Sequence, residues 1–240
     1  MGRLIGARVS YHDEGHPLEG YLATSASVRN LPGVLVVPSW LNVNESICGR
    51  ADRLAELGYV AFVVDLFGAG VRPKPPQLPQ EVVQLFLKDR LLFRQRLFAA
   101  LRAFQHRPEC DAERIAAIGY CLGGCGVLEL ARAGAPLRGV VSLHGILSAP
   151  LPAAPKSIGA KLLVLHGDAD PLAPFDQLAA FRDEMRSAGA NWEIDIYSEA
   201  RHSFTGEGIF DEPGPEAGLH PQSESRSWRT TVGFLGEVLK

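Results

Sequence analysis

The sequence predicts an α/β fold, one mostly parallel central sheet with helices on both faces. Three observations predict it. Short continuous apolar runs, among them Val34 to Val37 and Tyr59 to Val64, read as buried strands, Val34 to Val37 as one covered on both faces. Segments with helical apolar spacing alternate with such strands from Val34 onward. One strand, Arg114 to Ile118, runs straight into a helix, Gly123 to Ala133, through Gly119-Tyr120-Cys121-Leu122-Gly123, a G-x-C-x-G turn.

The elements follow in order. Ile5 to Tyr11 and Leu18 to Ala23 are two strands joined by a turn through His12 to Pro17. Asn30-Leu31-Pro32-Gly33 is a turn, Val34 to Val37 a strand, and Pro38 to Asn44 the loop at its carboxyl end. Ile47, Leu54 and Leu57 give Glu45 to Leu57 a helical stripe, which Gly58 stops. Tyr59 to Val64 is a buried strand ending at Asp65. Phe67 to Pro79 is rich in Gly and Pro, so it is irregular, and it should lie over the carboxyl ends of the strands. Glu81 to Gln105 reads as one long helical region. Its arginines, Arg90, Arg94, Arg96 and Arg102, read as a solvated basic face over an apolar one. Pro108 to Glu113 turns into the Cys121 strand. Beyond its helix come strands Gly139 to Leu143 and Lys161 to Leu165, helix Phe175 to Ala188 closed by Gly189, and strand Trp192 to Tyr197. Ser148 to Pro155 and Thr205 to Pro221 are loops, and Ser225 to Leu239 is a final helix. With no internal repeat and no linker, residues 1–240 are expected to form a single domain.

Composition narrows the function. A net charge of -3 gives no reason to expect nucleic acid or an anionic membrane surface as partner. No apolar run approaches the length of a membrane span. Residues 1–14 show no secretory pattern, so a cytoplasmic location and reduced thiols at Cys48, Cys110, Cys121 and Cys125 are expected. Cys121 and Cys125 are one helical turn apart, but no nearby His or Cys completes a zinc set, and no metal is expected.

The G-x-C-x-G turn carries chemistry. A strand turning at once into a helix strains its middle residue and crowds the positions two before and two after, hence Gly119 and Gly123. The thiol is held clear of the sheet, while the Leu122 amide and the helix N-terminus face any negative charge developing there. Rival glycine motifs do not fit: a P-loop needs Lys-Ser/Thr where Cys125-Gly126 stand, and a dinucleotide fingerprint needs Gly at Cys121. Ligands of such sheets collect at the carboxyl ends of strands. There the chain places Cys121, Asp170 and His202, in the order nucleophile, acid, histidine of the α/β-hydrolase arrangement. Asp168 competes with Asp170 for the acid.

Three stretches, Gly119-Tyr120-Cys121-Leu122-Gly123-Gly124, His166-Gly167-Asp168-Ala169-Asp170-Pro171 and Arg201-His202-Ser203-Phe204, resemble the dienelactone hydrolase family, as do Asp65-Leu66-Phe67-Gly68 and Val43-Asn44. The resemblance covers nearly the whole chain. It implies an α/β-hydrolase fold, a Cys121–His202–Asp170 triad, an oxyanion hole from the amides of Leu122 and Trp40, and no metal or organic cofactor. The sequence departs from the family pattern where a glutamate would accept the thiol proton, which is Ser39 here, and where an arginine would grip a substrate carboxylate, which is Gly206 here. A second such arginine would fall near Pro79, Gln80 and Glu81; Arg72 and Arg90 are the nearby substitutes.

The expected activity is cleavage of small esters or lactones through a covalent thioester on Cys121. Trp40, Phe67, Tyr120, His144 and Phe204 are candidates for the pocket wall beside Ser39. Phosphotriester hydrolysis by the same residues and a catalytically silent binding protein are the alternatives. Stoichiometric alkylation of Cys121 that depends on His202 separates enzyme from binder.

Overall fold

The computed structural model describes residues 4–25, 29–74, 80–207 and 216–240. Eight strands, β1 (Leu4–Asp13), β2 (His16–Ser25), β3 (Leu31–Val37), β4 (Val60–Val63), β5 (Cys110–Tyr120), β6 (Gly139–Leu143), β7 (Lys161–Gly167) and β8 (Asn191–Tyr197), form one sheet in the order β1-β2-β4-β3-β5-β6-β7-β8. β1 and β2 form a hairpin closed at Glu14-Gly15, both at positive φ, and β2 runs antiparallel to β4. All other neighbours are parallel. The chain moves outward from β3 to β4, then returns to β5 on the other side of β3. This reversal opens a crevice at the carboxyl ends of β3 and β5.

The helices are α1 (Glu45–Glu56), α2 (Gln80–Lys88), α3 (Arg90–Gln105), α4 (Leu122–Arg132), α5 (Phe175–Ala188) and α6 (Pro221–Val238). Alternation along the strands divides the core. Leu35 and Val37 of β3 and Leu162 and Val164 of β7 face a cluster built with Phe86, Phe93, Leu128 and Phe181 from α2, α3, α4 and α5. Val34, Val36, Leu163 and Leu165 face the opposite cluster, with Ile47 and Leu54 of α1 and Leu235 of α6. Asn44 starts α1 by accepting the Ile47 N–H at 3.2 Å, and Gly189 closes α5 at φ +66°. Among the described residues no helix is long and apolar enough to cross a membrane.

Several expectations need correction. β3 and β5 begin at Leu31 and Cys110, inside stretches read as turns, because those first residues pair with each other. The long helical region is two helices, because the Asp89 side chain accepts the Leu92 N–H at 3.0 Å and caps a new start. The arginines are not a solvated face; only Arg102 is exposed. Arg96 is buried, with Nε 2.8 Å from Asp13 Oδ2 and a second N–H donated to the Leu66 carbonyl. Arg94 pairs with buried Glu129 at 2.8 Å, and Arg90 lies buried against Cys125 Sγ. Asp13 and Glu129 come from β1 and α4, which flank α3, and the spacing of α3's own residues does not encode them. The last helix begins at Pro221, four residues earlier than its apolar stripe, because His220 caps it. Residues 75–79 of the Gly/Pro-rich segment and 208–215 of the loop before α6 lie outside the described residues.

Candidate active site

β5 passes into α4 at Cys121, whose backbone is at φ +54°, ψ -115°. A positive φ is costly for any side chain but glycine and persists only where the surroundings over-determine it. They do so here. A Cβ at Gly119 would strike the Gly123 carbonyl, and one at Gly123 would strike the Val37 and Pro38 carbonyls. The second clash is with the end of β3 and the first residue of the loop after it, not with Gly119. It seats the α4 N-terminus, and the Leu122 amide with it, against the loop that carries Trp40.

The chain brings together the three residues at strand ends. His202 Nδ1 lies 2.9 Å from Asp170 Oδ2, and His202 Nε2 lies 3.1 Å from Cys121 Sγ. Asp170 Oδ1 accepts the Leu172 N–H at 2.9 Å, so both carboxylate oxygens are engaged and the aspartate is buried. Asp168 is exposed. Gly167, at the end of β7, packs against the Ala200 carbonyl of the histidine loop, a contact that a Cβ would prevent. Burial alone pushes the His202 imidazole down. The Cys121 sulfur and the Asp170 carboxylate outweigh it and carry its pKa up to about 10.

The Trp40 loop is held by Asn42, a residue not singled out from the sequence, and by Asp65. Buried Asn42 donates to Asp65 Oδ1 at 2.7 Å and to the Val71 carbonyl at 2.9 Å, and accepts the Leu66 N–H at 2.9 Å. Asp65 Oδ1 also accepts the Phe67 and Gly68 N–H groups, and Oδ2 accepts that of Glu19. This knot fixes the loops after β3 and β4 to each other. An Asx residue in each loop was the available signal. The histidine loop is pinned likewise: Arg50 of α1 donates to the Thr205 carbonyl at 2.8 Å and pairs with Glu224 of α6 at 2.7 Å.

The pocket-wall candidates divide. Phe67 stacks on Phe86, which stacks on Phe93, an apolar wall on the α2–α3 side. Trp40 is nearly buried in its loop. Ser39 is fully buried, its Oγ 3.4 Å from the Leu41 amide. Tyr120 and Phe204 belong to the core on the α1–α6 face. His144 has no exposed surface and is no pocket wall; its Nδ1 faces the Cys121 amide. Neither substitute arginine stands ready for a carboxylate. Arg72 is drawn to Glu19 at 3.4 Å and Asp65 at 3.7 Å, and buried Arg90 faces Cys125 and Ser148. Among the described residues no group of three or more His, Cys, Asp or Glu could hold a metal ion.

The reversed parallel sheet, with a strand–helix elbow after β5 and loops meeting it from β7 and β8, defines an α/β hydrolase. The chain belongs to the dienelactone hydrolase family, whose model matches residues 18–239, and it is a hydrolase acting on ester or lactone bonds. Among solved structures it is similar, over all of both chains, to a dienelactone hydrolase-like promiscuous phosphotriesterase from metagenomic libraries (32% identity, TM-score 0.91). It is equally similar to a protein described as m3DLH (33% identity, TM-score 0.92, all of both chains). A Bradyrhizobium sp protein named "Probable 2-oxo-3-(5-oxofuran-2-ylidene)propanoate lactonase" is 29% identical over 197 residues, 77% of each chain.

Proposed function

We propose that this protein hydrolyses small neutral esters or lactones through a thioester on Cys121, with His202 and Asp170 completing the triad. The observation that carries the reading is the continuous Asp170–His202–Cys121 hydrogen-bond chain, at 2.9 and 3.1 Å. The raised pKa of His202 favours a proton on the imidazole beside the sulfur, and the thiolate is the form of Cys121 that attacks. The thiolate attacks the carbonyl carbon, and the carbonyl electrons move onto oxygen, toward the amides of Leu122 and Trp40. Collapse expels the alkoxide, which takes the proton from His202 Nε2. Neutral His202 then takes a proton from water, and the hydroxide attacks the thioester. Release of the acid restores the thiolate and imidazolium.

An activated aryl ester is expected to give an initial burst of about one equivalent of phenol. Acid quench on the millisecond scale should show a mass increase confined to the peptide that holds Cys121. Turnover with an unmodified Cys121 peptide at every quench time would overturn the thioester.

A neutral aryl phosphotriester is a second substrate class. The same thiolate and N–H donors suit attack at phosphorus, and a relative of 32% identity over its whole length is described as a promiscuous phosphotriesterase. Both classes share a requirement for neutrality. Arg72 is taken up by two carboxylates and Arg90 is buried against Cys125, so an incoming carboxylate would lose its hydration without gaining a cation. The methyl ester of a dienelactone is therefore expected to exceed the free acid in kcat/KM by about 100-fold or more, from an unpaired-charge cost of several kcal/mol. A free acid that wins would place a cation in the pocket. Gly206→Arg is expected to narrow the gap, since φ +85° at Gly206 opposes but does not forbid a side chain and, among the described residues, only Leu219 lies near.

A further inference from the structure

His144 is the first residue after β6, and its surroundings are unlike those of a pocket residue. Its amide donates to the Leu165 carbonyl at 2.9 Å, extending the β6–β7 ladder by one bond, yet its own backbone is at φ +39°. A non-glycine residue at positive φ costs stability, and such strain collects where a side chain must be aimed. Two glycines allow the aim. A Cβ on Gly124 would lie 2.8 Å from the Gly145 Cα, and one on Gly145 would lie 2.7 Å from the Gly124 carbonyl carbon. The first turn of α4 therefore rests backbone on backbone against the turn that carries His144, and the imidazole passes beneath Cys121.

The ring joins two parts of the site. Its Nδ1 lies 3.1 Å from the Cys121 amide nitrogen, which also donates to the Leu143 carbonyl at 3.0 Å. Its Nε2 lies 2.7 Å from Thr205 Oγ1. A backbone N–H can only donate, so Nδ1 accepts and the ring proton sits on Nε2, directed at Thr205. Protonation would set an N–H at Nδ1 against the N–H of Cys121. Burial drives the ring well below the ordinary histidine range, and the charges of His202, Arg50 and His166 act in the same direction. The neutral ring meets His202 edge-on, with centroids 5.4 Å apart.

Cys121 follows β5 and His202 follows β8, with β6 and β7 between them in the sheet. Thr205 is three residues beyond His202, in the same loop. We propose that His144 is a positioning residue: its ring ties the Cys121 backbone to the Thr205 side chain and so sets the spacing at which Cys121 Sγ and His202 Nε2 meet. The proposal rests on Cys121 and His202 being the nucleophile and base. With no exposed surface, His144 has no role in binding substrate.

The test uses the full chain, a neutral aryl ester, and iodoacetamide alkylation of Cys121 across pH. Alkylation of the parent must abolish turnover. If it does not, the triad reading falls before His144 is in question. His144→Phe keeps a packed ring and removes both hydrogen bonds. It is expected to lower kcat by about 100-fold, the cost of misplacing reacting groups by about an ångström. KM should be nearly unchanged, and the pH profile of Cys121 alkylation should depart from the parent's. His144→Asn keeps an acceptor near the Cys121 N–H but does not reach Thr205, and Thr205→Val cuts the same link from the other side. These two variants and their double mutant should therefore show the same loss, and Thr205→Ser should restore the parent rate. A His144→Phe protein with parental kcat and alkylation profile would reduce His144 to packing, whatever its melting temperature. Additive losses in the His144→Asn, Thr205→Val cycle would equally overturn the tie. Should the His144 variants fail to fold, Thr205→Val and Thr205→Ser decide alone, and a Thr205→Val protein with parental kcat sinks the proposal.

Discussion

Cys121→Ala is expected to fold as the parent does and to lose turnover by about 10⁴-fold or more, the scale seen when a covalent nucleophile is removed and only the surrounding donors remain. The fold of the elbow does not depend on sulfur. Gly119 and Gly123 make its close contacts, and the Cys121 amide keeps both of its acceptors. A companion variant separates strain from chemistry. Alanine keeps a Cβ at φ +54°, whereas glycine adopts that angle freely. Cys121→Gly should therefore be more stable than Cys121→Ala by about 1 kcal/mol, the relief of positive-φ strain exceeding glycine's extra unfolded-state entropy. Thermal melts and ester turnover on the two purified variants check both statements. Parental activity in a folded Cys121→Ala protein removes the nucleophile. A Cys121→Gly protein that melts below Cys121→Ala removes the strain.

The chain announces its elbow and its three strand-end residues plainly, because each depends on local signals: a short apolar strand, glycines at fixed offsets, a polar residue where a strand stops. The choice of Asp170 over Asp168 rested on motif in the sequence and rests on burial in the structure, where one is enclosed and the other exposed. What stayed hidden depends on partners distant in the chain. Arg96 reads as a surface residue until Asp13, 83 positions away, lies beside it. Asn42 reads as a loop former until Asp65 closes on it. His144 reads as a pocket wall because a histidine after a strand usually faces the crevice; only the approach of Gly124 to Gly145 turns it under Cys121 instead. The break at Asp89 was legible in principle, since aspartate is a preferred N-cap, but apolar spacing continues across it and outweighed the signal.

Asp170→Asn is expected to lower kcat by about 10⁴-fold, the cost of holding a catalytic histidine in the wrong tautomer without its counter-charge. Asn can still accept the Leu172 N–H through its oxygen, so the turn after β7 should survive. Asp168→Asn, at an exposed position, should change kcat by no more than about twofold, as surface substitutions away from special contacts do. The pH dependence gives an independent sign. The His202 pKa is raised to about 10, the Cys121 sulfur and the Asp170 carboxylate outweighing burial. Leaving-group protonation needs the imidazolium, so the alkaline limb of kcat/KM should lie near pH 10 in the parent and move to lower pH in Asp170→Asn. Stability follows the same linkage. A folded-state pKa above the ordinary histidine value of about 6.5 contributes fully below that pH and is lost as pH rises through about 10. The parent should therefore melt above Asp170→Asn by the widest margin near pH 6, and the two curves should converge above pH 10. An Asp170→Asn limb that stays at the parental pH, or a margin that widens with alkalinity, would place the charge supporting His202 elsewhere. A severe loss in Asp168→Asn with a mild one in Asp170→Asn would move the acid to the exposed residue two positions upstream.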